Sequence, residues 1–493
     1  MGGTKRYGVN AVRTLPAVWI ACAAEVGCGA EAPRVWPDDY AEVMDPKTCE
    51  SCHPKHYKQW LGSMHAYAAD DPVFLAMNRR GQRETNGELG DFCIKCHAPM
   101  AVRLGATADG LNVAELPRFM KGVTCYFCHN VASVEGTHNN PLRLREDGTM
   151  LGSIADPYPN PVHDSAYSRL LDDNAFESSD MCGACHDIVT PQGVHLERTF
   201  AEWKNSFYAA PSPDDPHQPA FYGLMCSSCH MQRELNLGPI AEFEGVPGGR
   251  GIHDHRFAGV DTVMTAFPDA ELGPELLEEQ LEARRAQRSY ALFATLCVQE
   301  MMDGGGHVVT AWLHNESAGH AWPSGAAQDR RTWVEVVASS DGRPVFETGV
   351  VAPGEALLSV VDPVLWSFRD TMLDAAGDEV HMFWDAVSVQ SNLLPVGADV
   401  TADASTWVSR SYRVESTDVD HVTMRMRVRA VGLDVLDHLI ASQDLDPMHR
   451  RAIRTDDIEP TKLVWTPDSA VASPLGGSCV HSSKSSFAPG TKG

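Results

Sequence analysis

Between Cys49 and His230 the pattern Cys-x-x-Cys-His occurs five times: Cys49-Cys52-His53, Cys93-Cys96-His97, Cys125-Cys128-His129, Cys182-Cys185-His186 and Cys226-Cys229-His230. Two thiols three residues apart sit one above the other on a helical turn, and a histidine follows at once. That geometry suits a porphyrin whose two vinyl groups take the thiols while the imidazole sits under the iron, the attachment pattern of haem c. Structural zinc and disulfides are the competing uses of paired cysteines. Zinc sites usually join two Cys-x-x-Cys units and need no histidine after each. Five repeats that use ten of the fourteen cysteines therefore favour five covalently attached haems.

Such a unit has an unusual core, because flat porphyrin faces take the place of much apolar packing. The expected fold class is accordingly α+β and multidomain. A helical, loop-rich unit spans about 45–260, a linking helix 270–290, and an immunoglobulin-like β-sandwich 290–470. Tyr57, Trp60, Leu61, Met64 and Ala68 follow helical spacing after the first motif, while 79–91 reads as a loop. From Tyr290 to Val298 apolar residues alternate instead, as they do again from Val422 to Val428. The Ser- and Gly-rich tail, 473–493, is expected to be disordered. Cys297 reads as a buried apolar residue, and Cys479 has no evident partner. A short echo, Trp60-x-x-Ser63-x-His65 against Trp203-x-x-Ser206-x-Tyr208, suggests that the multi-motif unit grew by duplication.

The net charge of -26 argues against nucleic acid and for cationic or dipolar partners steered by charge. Haem c is attached outside the cytoplasm, so an export signal is expected within 1–30. Lys5, Arg6 and Arg13 precede an apolar run from Leu15 to Ala24, and Cys22 or Cys28 offers an acylation site for a lipoprotein anchor. The expected location is the periplasm or outer cell surface, free or lipid-anchored at the membrane.

Each iron has a sixth position. A second histidine there makes a low-spin electron carrier, whereas an open position admits small molecules. Among the spare histidines, context ranks five. His65 follows the first motif beside Trp60, His138 lies in a loop after motif three, and His163 lies in a Pro-rich loop before motif four. His255 follows motif five, and His320 sits in a Gly- and Pro-bounded loop of the β region, from which it would reach back and dock the two units. His56 follows His53 too closely to cross the porphyrin plane, and His195 and His217 have no distinguishing context. Motifs two and three are close in sequence, which suggests stacked neighbours.

The stretches CESCHPKHYKQWLGSMHA, GVTCYFCHNV, MCGACHD with TFAEWKNSFY, MCSSCHM and HDHRFAG resemble the multihaem cytochrome c family, in particular the tetrahaem electron carriers of nitrification. NESAGHAWPSGAAQDRRTWVEV with DGRPVFETG is similar to the C-terminal domain of large multihaem cytochromes. The resemblance covers about 45–350. It implies bis-histidine haems in close pairs, electron transfer, and distal roles for His65, His163 and His255. Departures are the fifth motif and Tyr208 at a ligand-like position. The expected function is electron transfer between respiratory partners, either other cytochromes or quinone-linked complexes. The alternative is a nitrite or hydroxylamine oxidoreductase with one open iron, sought at motif four or five near Tyr208 or Arg256. Against it, no Cys-x-x-Cys-Lys motif occurs.

Overall fold

The computed structural model describes residues 38–483, apart from 161, 216–217, 221–222, 235–236, 269–272, 316, 398–406 and 474–476. The expected export signal, the end of the tail and His217 lie outside the described residues.

The fold mixes helix and sheet. The motif-bearing half is built from short helices and loops. The stretch after the first motif, expected as one helical run, breaks into Pro54–Leu61, Met64–Tyr67 and Pro72–Glu84. Each break has a local cause. Ser63 caps the second helix by accepting the Ala66 amide, and Asp71 caps the third by accepting that of Val73, with Pro72 at its first position. The third helix overruns the loop expected from residue 79 because its apolar face is covered from the far half of the chain. Ala76 shares one core with Phe383, Leu436 and Leu439, where hydrophobic burial outweighs the weak local preference for a loop.

The helix Gly273–Arg288 leads into two antiparallel sheets. One runs Trp407–Val414, His307–Asn315, Leu292–Glu300, Ser478–His481 and Val471–Ala472. The other is centred on Arg331–Ser340 paired with His421–Arg429. The alternating positions meet as the period-two pattern requires: Leu296, Val309 and Leu313 from the first sheet share a core with Val334, Val336 and Met426 from the second. The tail departs from expectation. Ser478–His481 is a strand, and Cys479 is disulfide-bonded to Cys297 on the neighbouring strand. The short apolar pair Cys479-Val480 finds its sheet partner nearly two hundred residues away, a relation that local composition does not encode.

Polar clamps join the two halves. Arg330 donates two hydrogen bonds to Asp261 (2.7 and 3.0 Å), Arg198 pairs with Asp370 (2.7 Å), and Arg83 with Asp444 (2.6 Å). No helix among the described residues is long and apolar enough to cross a membrane.

Candidate haem-binding sites

Each motif winds into one helical turn. The His53 amide donates to the Cys49 carbonyl at 2.7 Å, and His97 repeats the contact with Cys93 at 3.3 Å. The two cysteines of a motif therefore share a face, and the histidine leaves the end of the turn. The ten motif cysteines are free and half-buried.

The five motifs lie close together, but not in the order expected. Thiols of motif one meet those of motif three (Cys49 with Cys125), motif two meets motif four (Cys96 with Cys185), and motif four meets motif five (Cys182 with Cys226). Thiol contacts thus join motif one to three, two to four and four to five, and none of these three contacts joins motif two to motif three.

Four motif histidines are oriented by main-chain carbonyls. Nδ1 of His53 bonds Ile240 O (2.9 Å), His97 bonds Ala68 O (2.9 Å), His129 bonds Leu151 O (2.6 Å), and His230 bonds Ala258 O (2.8 Å). A carbonyl accepts, so Nδ1 carries the proton and Nε2 keeps its lone pair for a metal.

Opposite three motif histidines stand three of the ranked candidates. Ring centroids are 6.3 Å apart for His65 and His186, 6.4 Å for His129 and His255, and 6.4 Å for His230 and His320. A metal–imidazole bond of about 2 Å on each side, with the step from nitrogen to the centre of each five-membered ring added, accounts for a separation of this size. The spacing is that of two imidazoles sharing one metal ion. His255 and His320 also bond carbonyls through Nδ1, at 2.8 and 2.7 Å. Nδ1 of His65 is buried without a hydrogen-bond partner, a loss that ligation of a metal would offset. Burial pushes the His65 and His255 imidazoles down to about 3, which keeps them neutral and able to ligate. The residues present thus fit haem c.

The remaining candidates divide. His163 lies close enough to His53 and His129 to lower both electrostatically, and its Nδ1 is 3.2 Å from the Ser165 hydroxyl. His138 is exposed, with Nδ1 against the Thr137 hydroxyl at 3.1 Å, and among the described residues no ring contact joins it to a motif histidine. His97 stacks face to face on Phe74 at 4.1 Å, and among the described residues no histidine ring meets it. The ring pairs at this spacing fall on motifs three, four and five, while His97 of motif two has Phe74 stacked on it and lies within electrostatic reach of His65 and His186.

The sequence echo has a structural counterpart. Trp60 Nε1 donates to Val123 O (2.8 Å), two residues before motif three, and Trp203 Nε1 donates to Leu224 O (2.9 Å), two residues before motif five. Val123 N donates to His65 O, and Leu224 N to Tyr208 O. Tyr208 occupies the place of His65 in the second copy. It packs under the loop that brings His320 to motif five, so close that a Cβ on Gly319 would lie 3.6 Å from its ring.

The family model described as cytochrome c554 and c-prime matches residues 48–130. No curated protein matches the chain. Among solved structures, a penta-heme cytochrome c552 from Thermochromatium tepidum superposes with a TM-score of 0.58 at 18% identity. The match covers 86% of this chain and 98% of that one. At that identity the likeness speaks for the fold.

Proposed function

We propose that the chain is a multihaem c-type cytochrome, an exported carrier with five haems c that moves electrons between respiratory redox partners. The observation that carries this reading is the set of three histidine pairs at the spacing of two ligands on one metal. When bound, haem c supplies reversible one-electron chemistry at iron. The chain's part is to hold, orient and enclose it. Cys49 and Cys52, and their counterparts in the other four motifs, form the thioether attachments. His53, His97, His129, His186 and His230 are the proximal ligands. His255, His65 and His320 cap motifs three, four and five, and His163 caps motif one. Close thiol contacts across motifs support a continuous path between sites rather than isolated centres.

Export to the periplasm or cell surface is supported by the Cys297–Cys479 disulfide, since such bonds persist in oxidising compartments. The two facing sheets we read as an immunoglobulin-like sandwich. The acidic surface suits cationic faces on partner cytochromes or quinone-linked complexes. For the oxidoreductase alternative, motif two is the place to look, since Phe74 stacks on His97 there.

Electron paramagnetic resonance on the oxidised holoprotein, with a haem count, tests the reading. The expected result is five haems, at least four of them low-spin, with any high-spin signal confined to one. Two or more high-spin haems, or fewer than five haems, would overturn the ligand scheme. A high-spin signal that shifts on adding nitrite or hydroxylamine would move the assignment to the oxidoreductase.

A further inference from the structure

The strand His421–Arg429 turns Met424, Met426 and Val428 into the core, so Arg425, Arg427 and Arg429 line the opposite face of the sheet. With Arg450 and Arg451 from the following segment they edge a groove of about 710 Å³. In a chain of net charge -26, five guanidiniums around one groove is an unusual concentration of positive charge. Carboxylates neutralise part of it. Glu335 accepts from Arg425 (2.8 Å) and Arg427 (3.0 Å), Asp457 accepts from Arg425 (3.1 Å), and Asp437 pairs with Arg450 (2.5 Å). Glu347 also lies on the rim.

Two cations are left over. Arg429 is only 2% exposed, yet among the described residues it meets no carboxylate. Its bonds go to the Thr455 hydroxyl (2.8 Å) and the Glu355 carbonyl (2.5 Å). Burial, then Arg427 and Arg450, hold its guanidinium below the usual range, and the more distant charges of Asp434 and Glu355 oppose them only in part. Arg451 is exposed and has no carboxylate partner among the described residues. Nearby, Nε of Arg427 is buried and makes no hydrogen bond, although Asp457 lies 3.3 Å away. Both Arg427 and Arg429 stand over the Trp333 ring, at 5.5 and 5.3 Å, which fixes their forks in place. A buried cation without a carboxylate in contact is costly, and a bidentate anion is a group that offsets that cost. The rest of the lining is apolar, with Val351, Pro353, Leu433 and Ile453.

We infer that this groove is a binding site for an organic anion, a carboxylate-bearing molecule with an apolar body, held by Arg429, Arg427 and Arg451. The site is remote in sequence from every haem motif and independent of the electron-transfer reading. Isothermal titration of the holoprotein with phthalate at fixed ionic strength tests it, with inorganic phosphate as the charge-only probe and benzyl alcohol as the apolar-only probe. Phthalate is expected to bind saturably with one site, more tightly than either control. Arg451→Glu, on the surface, and Arg429→Lys, which keeps the charge and loses the fork, should each weaken it by about tenfold or more, with an unchanged haem spectrum reporting an intact fold. No saturable heat from phthalate, equal binding of phosphate, or phthalate binding unchanged in both variants would overturn the proposal.

Discussion

The disulfide between Cys297 and Cys479 closes a loop of 182 residues that contains most of both sheets. All ten motif cysteines precede Met231, so no thioether falls inside that loop. In the unfolded chain the bond is then the covalent restraint on the whole strand region. Loop-closure entropy for a segment of this length amounts to about 18 cal/mol/K, or about 5 kcal/mol at 25 °C. Residual structure in the unfolded ensemble makes this an upper value. Replacing both cysteines by serine leaves two small polar groups facing each other on adjacent strands and removes the restraint without altering any haem motif. With a urea slope of about 2–3 kcal/mol per molar, the midpoint for the sheet region should fall by about 2 M. Far-ultraviolet circular dichroism follows the strands, and the Soret band reports the haem unit separately. The expected outcome is an early loss of strand signal while the Soret band holds. A shift below about 0.4 M, equivalent to less than about 1 kcal/mol, in a parent protein shown to lack free thiols would refute the argument that this bond organises the sheets.

Three further outcomes follow from the site. Changing His320 to Ala should convert one low-spin haem to high-spin, at motif five alone, with imidazole in the buffer restoring the low-spin spectrum. Gly122 sits at φ +68, and a Cβ there would lie 2.5 Å from the His65 carbonyl. Gly122→Ala should therefore displace His65 and raise a high-spin signal at motif four, at a cost of at least about 1–2 kcal/mol from the left-handed backbone alone. Burial pushes the Glu197 carboxyl up to about 7 despite neighbouring Arg330. A carboxyl raised on folding holds its proton more tightly in the native state. Its protonated form is therefore accommodated at low pH, and stability is lost as pH rises from about 4.5 through 7. Glu197→Gln should flatten that limb and raise stability at pH 8 by at most about 3 kcal/mol, as read from melting curves between pH 4.5 and 8.

Which parts of this were legible beforehand depended on distance along the chain. The five attachment motifs are local, so residue spacing alone displays them. The main strands are local too, since alternation at Leu292–Glu300 and His421–Arg429 states which face is buried. The histidine pairs are not local. His65 could be ranked by its neighbour Trp60, but nothing near it names His186, more than a hundred residues away. His138 looked equivalent to His163 because both sit in irregular loops. Only tertiary packing leaves one at the surface and brings the other toward His53. The tail failed for the same reason. Its Ser and Gly content describes the unpaired chain, while the partner of Cys479 lies on another strand. The arginine groove was half visible: the alternation of Arg425, Arg427 and Arg429 is in the sequence, but the loop that deepens it is not.

The contacts between cysteines of different motifs also bear on how such a chain can be made. Cys49 meets Cys125, Cys96 meets Cys185, and Cys182 meets Cys226. Thiols brought together before thioether attachment are substrates for oxidation, and each of these pairs would cross-link two different motifs. A chain that reached its final arrangement too early, in an oxidising space, would lock itself out of maturation by the same proximity that later sets its redox centres side by side. Attachment therefore has to run ahead of collapse, or the thiols have to be kept reduced until it is done. The order of events in biogenesis is in this sense written into the spacing of the finished fold.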